Sequence, residues 1–375
     1  MTKVFIDGSA GTTGLRIYDR LAKRSDITLL TLSGDLRKDE AARKEMLNAC
    51  DIAFLCLPDA AAIQAVSMIE NPKTVVIDTS TAHRTNPEWT YGFPEILPDE
   101  KAISQAKRIA NPGCHASGFI ALVAPLVKQG ILDAAAQLTC FSLTGYSGGG
   151  KSMIAQYETA GFGEAVAPGA GVAPGAGVAS GAGVGAAQGT AAAPGAGVGA
   201  AQGAGVGAAQ GTAAAPGASA EQALLEAPRV YGLSQQHKHL PEMVAMCALE
   251  HEPIFCPTVA PFYAGMEVCV PVFASQLTAS YATANNAKQA IEQAYREFYA
   301  KGFVHFVPEE QAAEQGFLSA AAFTGRDDMQ VSVCGNNERL LLVARFDNLG
   351  KGSSGAAIQN MNLVLGVNPA LGLNV

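Results

Sequence analysis

The 375-residue sequence carries 25 Lys and Arg against 33 Asp and Glu, a formal net charge of −8. Its pI is about 5.3, so the basic footprint of a nucleic-acid partner is missing. The length allows two domains with separate cores. No basic flank and apolar stretch precede Lys3, and no apolar run is long enough to cross a bilayer, which together predict a cytoplasmic protein with no membrane partner. Of the eight cysteines, Cys50, Cys56, Cys140, Cys247, Cys256, Cys269 and Cys334 are scattered through mostly apolar runs. They have neither C-x-x-C nor zinc-type spacing, and read as reduced core residues with no metal site.

In chain order, the first hundred residues alternate apolar runs with helical patterns, as a doubly wound parallel sheet requires. Strands are predicted at Lys3 to Asp7, Ile27 to Leu32, Ile52 to Leu57 and Thr74 to Asp78, and helices at Leu15 to Lys23, Glu40 to Ala49 and Ala60 to Ile69. Between the first strand and helix lies Gly8-Ser9-Ala10-Gly11-Thr12-Thr13-Gly14. Glycines at its first, fourth and seventh positions let the backbone approach a pyrophosphate at a helix N-terminus, and Ser9, Thr12 and Thr13 supply hydroxyls. After the second strand, Ser33, Arg37 and Lys38 suit the 2′-phosphate of NADP, while Asp35 keeps NAD open.

The pattern changes at Asn111-Pro112-Gly113-Cys114-His115. A turn signal followed by helical spacing from Ala116 to Leu126 places Cys114 at a helix N-terminus, where unpaired N–H groups and the helix dipole favour a thiolate. Cys114 is therefore the candidate nucleophile, with a lowered pKa expected. Beyond it, strands are predicted at Gln137 to Leu143, Met243 to Leu249, Met266 to Phe273, Met329 to Cys334 and Leu340 to Phe346, and helices at Ala287 to Ala300 and Ala356 to Leu365. This grouping predicts an α+β domain with a mixed or antiparallel sheet.

Residues 164–221 are of another kind: almost all Ala, Gly, Pro and Val, uncharged between Glu164 and Glu221, with Gly185 to Ala196 repeated as Gly207 to Ala218. Gly and Pro at this density oppose helix and sheet alike, so the stretch reads as an elastin-like, disordered insertion.

Two further motifs invite chemistry. Gly145 to Ser152 fits G-x-x-x-x-G-K-[ST], the phosphate loop of nucleotide triphosphatases. The following pattern stops within two turns at Gly161, and no strand ending in a metal-binding Asp stands out downstream, so the loop reads better as an anion site using Ser147 and Lys151. His237-Lys238-His239-Leu240-Pro241-Glu242 reads as an extended acid–base group in which both histidines reach one site, leading into a strand.

These segments, with Asp78 to Arg84, Tyr91 to Glu95 and Asp347 to Gly352, stand in an order that resembles the N-acetyl-gamma-glutamyl-phosphate reductases, most closely the shorter subtype. The resemblance spans the chain except the repeats. It implies an enzyme of arginine biosynthesis that reduces an acyl phosphate to an aldehyde with NADPH, through a thioester on Cys114. It also implies a homodimer or homotetramer. His237 or His239 would handle protons; Arg84, Ser147 and Lys151 are the candidates for a small-molecule substrate's carboxylate or phosphate. The expected organisation is an NADP-binding domain at 1–112 and 352–375 and a catalytic domain at 113–351. Aspartate-semialdehyde dehydrogenase, similar in fold and thiol chemistry, is the alternative within the reaction class; a triphosphatase is the alternative outside it.

Overall fold

A computed structural model describes residues 1–99, 101–162, 220–282 and 285–375. The repeat insertion lies outside the described residues apart from Ala220 and Glu221, which open the helix Ala220–Leu225. The protein is α/β, with two sheets.

The first sheet is built from β1 (Thr2–Asp7), β2 (Ile27–Leu30), β3 (Ile52–Leu55), β4 (Val75–Asp78), β5 (Thr90–Tyr91) and β6 (Arg108–Ala110) in the order β2-β1-β3-β4-β6-β5. Every pair is parallel. Its central strands are buried throughout, as expected for a sheet with helices on both faces. On one face Val4, Ile6, Phe54 and Ile77 pack with Ile17, Leu21 and, from the far end of the chain, Ala357, Ile358 and Met361. Helix Gly355–Leu365 thus closes the first core.

The second sheet contains β7 (Thr139–Gly145), β8 (Arg229–Val230), β9 (Ile254–Ala260), β10 (Met266–Phe273), β11 (Val304–Phe306), β12 (Met329–Gly335) and β13 (Arg339–Phe346). Its order is β11-β12-β13-β10-β7-β9-β8. Parallel pairs at β11-β12 and β7-β9 sit among antiparallel ones, so the sheet is mixed.

Helix Cys114–Lys128 lies on this sheet and is buried from His115 to Leu126. Its sequence is apolar all round because the sheet covers one side and helices Leu240–Cys247 and Ala287–Phe298 cover others. A Cβ at Gly118 would collide with Val268 and Phe346, so glycine permits the close approach. Pro125 removes the helical bond to Ala121 O, and the Tyr299 hydroxyl donates to that carbonyl instead at 2.7 Å.

One expected strand is overturned. Of Met243 to Leu249, Met243 to Cys247 belongs to the helix Leu240–Cys247, which has Pro near its start, Glu242 in its first turn and a left-handed Ala248 as its C-cap. The histidine segment before it is a turn rather than an extended strand, with His239 as the helix N-cap. Strand β9 was not anticipated.

Candidate active site

The C-terminal ends of the first sheet face the second domain across a cleft of about 420 Å³. Gly11 to Gly14, Arg84, Gly113, Cys114, Ser147 to Gly150, Tyr231, and His237 to His239 line it. The structure therefore brings the glycine-rich turn, the cysteine turn and the histidine segment together, although 230 or so residues separate the first from the last along the chain. Lys151 is not part of the lining; it is exposed on the helix Gly150–Thr159. Ser147 is buried and its Oγ accepts from Asn348 Nδ2 at 3.0 Å.

Cys114 is the first residue of its helix, and Gly113 is the N-cap. The expected low thiol pKa is corrected here. Burial pushes the thiol up, while the Arg84 charge and the His115 amide pull in the opposite direction without prevailing. A helix terminus alone does not offset enclosure by protein.

The imidazoles beside it are neutral at physiological pH for the same reason. Burial holds His115 down at about 3, keeps His239 well below its ordinary value, and lowers His237. His115 is fully engaged, with Nδ1 2.6 Å from Ser142 Oγ and Nε2 2.6 Å from Tyr231 Oη. His237 Nδ1 accepts from the His239 amide at 3.2 Å, so the neutral ring carries its proton on Nε2. His239 Nδ1 is buried with no hydrogen-bond partner among the described residues.

Arg84 is buried and each guanidinium nitrogen is bonded within the protein. Nε donates to Asn111 O at 3.0 Å, Nη2 to Thr79 O at 2.9 Å and Nη1 to Glu242 Oε2 at 3.0 Å. Glu242 and Tyr231 are the residues whose full role the sequence left hidden. Glu242 was visible only as a neighbour of the histidines, and nothing local marks Tyr231 as a partner for His115, more than a hundred positions away.

A second cavity, about 560 Å³, adjoins β1 and β2. Gly8, Ser9, Gly34, Arg37, Lys38 and Arg43 are among its lining residues, whereas Ser33 is not. Gly8 has φ +86°, and a Cβ there would strike the Cys56 carbonyl; at Gly14 a Cβ would strike Gly8 O. The turn is therefore as tight as glycine allows, and Gly11 caps the helix Thr12–Leu21 behind it. Asp7 at the end of β1 is bound by Arg43, with Nη2 2.9 Å and Nε 3.0 Å from Oδ2. Arg37 and Lys38 are exposed and make no ion pair among the described residues.

Comparison with known proteins agrees with both halves. A family model described as the semialdehyde dehydrogenase NAD-binding domain matches residues 3–105. Another, the semialdehyde dehydrogenase dimerisation domain, matches residues 114–168 and 195–348, broken within the repeats. Among curated relatives, the N-acetyl-gamma-glutamyl-phosphate reductase 2 of Nostoc sp. is 37% identical over 378 residues, covering 99% of both chains. The N-acetyl-gamma-glutamyl-phosphate reductase of Burkholderia cenocepacia is 37% identical and covers 98% of each.

The chain belongs to the N-acetyl-gamma-glutamyl-phosphate reductase family.

Solved aspartate-semialdehyde dehydrogenases share its fold. The Vibrio cholerae enzyme II, complexed with ASA, has TM-score 0.61 at 14% identity over 97% of this chain and 98% of its own. The Candida albicans enzyme, crystallised with NADP, has TM-score 0.57 at 14% identity, with the same coverage. As a member of this family the chain has a first domain that binds a nicotinamide dinucleotide. The residues present fit that group: a tight glycine turn opens onto a helix N-terminus, and two unpaired cations stand beyond β2. No helix among the described residues is long and apolar enough to cross a membrane.

Proposed function

We propose that the chain reduces N-acetyl-gamma-glutamyl phosphate to N-acetylglutamate 5-semialdehyde and phosphate, with NADPH, as a step of arginine biosynthesis. The observation that carries this reading is the placement of Cys114 at a helix N-terminus, between the dinucleotide turn and the histidine pair, in a chain that matches such reductases from end to end.

In this mechanism the Cys114 thiol passes its proton to the neutral His239 imidazole and attacks the acyl carbonyl, the C–O bond to phosphate breaks, and a thioester to Sγ remains. NADPH, when bound, supplies the hydride. Sulfur donates little into the carbonyl, so the thioester accepts it, and the resulting thiohemiacetal returns the electron pair to Sγ as the aldehyde leaves. His237, with its proton fixed on Nε2, donates to the substrate oxygen as negative charge develops there. His239, adjacent to it at 4.8 Å between ring centroids, completes the pair. The amides of the Ser147–Gly150 turn, with Ser147 Oγ, form the phosphate subsite. Lys151 lies at its margin, and Ser9, Gly11, Thr12 and Thr13 hold the pyrophosphate. Arg37 and Lys38 receive the 2′-phosphate, with Ser33 beside them, which selects NADP over NAD.

We further place the enzyme in the cytoplasm as a homodimer or homotetramer, in keeping with the dimerisation-domain match. Phosphate release tests the substrate. Turnover with N-acetyl-gamma-glutamyl phosphate and none with β-aspartyl phosphate supports the reading; the reverse preference would make the chain an aspartate-semialdehyde dehydrogenase.

A further inference from the structure

Glu242 is 1% exposed and collects three donors. Its Oε1 accepts from Tyr91 Oη at 2.7 Å and from the Gly113 amide at 2.9 Å, and its Oε2 accepts from Arg84 Nη1 at 3.0 Å. Gly113 immediately precedes Cys114, and its carbonyl accepts from both the amide (2.8 Å) and the hydroxyl (2.9 Å) of Ser117. A Cβ at Gly113 would overlap Arg84 Nη1 and the His239 ring, so cation and imidazole lie directly against the backbone that presents the thiol. One carboxylate, delivered by the histidine motif, therefore holds both the nucleophile's N-cap and the nearest cation.

We propose that Glu242 and Arg84 form a charge-balanced clamp that fixes the Gly113–Cys114 backbone and sets the proton affinity of the Cys114 thiol. Arg84 is then a positioning residue as well as part of the cleft lining. Only the assignment of Cys114 as nucleophile is taken over from the proposed reaction.

Burial raises the thiol's proton affinity most, and these two charges adjust it from either side. His115 on the same helix, and His237 and His239 on the facing turn, are kept neutral by burial. Tyr231 is kept protonated by burial and by the neighbouring thiol. Gly352, which packs on Cys114 Cβ, brings no charge of its own. Lys238 also lines the cleft, and Asp59 interacts with both Lys238 and Arg84. Arg84 favours the thiolate and Glu242 opposes it. Burial keeps the thiol protonated in the empty site, and the two charges of the clamp adjust that affinity in opposite directions.

The test is the pH dependence of Cys114 alkylation by iodoacetamide in the full chain, read on the Cys114 peptide by mass spectrometry. Glu242→Gln keeps the side-chain shape and an acceptor for Gly113 and Tyr91, and its midpoint should fall by about one pH unit. Arg84→Gln should raise the midpoint by about as much, and Arg84→Lys should return it toward the wild type. A Glu242→Gln midpoint unchanged or raised, with a wild-type circular dichroism spectrum, would overturn the proposal even if Arg84→Gln failed to fold. Opposite shifts in a chain lacking reductase activity would support the clamp while sinking the reaction assigned above.

Discussion

Lys351 Nζ lies 2.7 Å from Glu95 Oε2, and each side chain is 2% exposed. Gln359 Oε1 accepts from the same ammonium at 2.7 Å, while Phe303 N and Gln359 Nε2 donate to Glu95 at 3.0 and 2.9 Å. The ring of Phe93 is 4.9 Å from Nζ. This buried pair joins the segment after β5, the turn after β13 and the helix that closes the first core. Removing one partner leaves the other charge buried and unpaired. Lys351→Met should therefore cost about 3–5 kcal/mol, and Glu95→Gln added to it should recover part of the loss. Urea denaturation of the three proteins checks this.

The first domain was legible because its signals are local. Strand-length apolar runs alternating with helical spacing, a glycine turn and stops such as Pro58 fix a parallel sheet without reference to anything distant. The second domain was less so. Met243 to Leu249 is a short apolar run that fits a strand or a buried helix equally by periodicity; Pro241 and Glu242, both helix-start residues, decide for helix. Strand β9 contains Pro257, which demotes a strand in sequence, yet it pairs with β7 on one side and β8 on the other. At the site, the candidacy of Cys114 and the histidines could be read from residue type and turn chemistry, and the structure gathers them in one cleft. The Glu242 clamp could not, because it depends on distances between segments more than a hundred residues apart.

The acid limb of stability should carry a signature of His115. Its folded pKa is held at about 3 by burial, against an unfolded value near ~6.5. The unfolded chain therefore takes up a proton first as pH falls. The contribution is fully present above about pH 6.5 and is lost progressively down to about pH 3, to a ceiling of about 4–5 kcal/mol. His115→Gln should flatten the pH dependence of the urea midpoint across that window. Unchanged slope would contradict the neutral, doubly bonded imidazole.

Cofactor choice should follow Arg37 and Lys38, the exposed cations lining the second cavity. The double variant Arg37→Ala/Lys38→Ala should weaken NADPH binding by about tenfold or more, since two charge-assisted contacts to phosphate are lost. NADH binding should change little. Fluorescence titration of the two nucleotides separates a lost phosphate contact from a damaged pocket, which would weaken both alike.

The central claim is a thioester on Cys114, and the most direct measurement runs the reaction backwards: NADP-linked oxidation of N-acetylglutamate 5-semialdehyde in the presence of phosphate, for the wild type and for Cys114→Ser. The wild type should form NADPH in a phosphate-dependent reaction, and the variant should lose nearly all of this activity while retaining NADP binding. Comparable activity in Cys114→Ser would contradict the central claim.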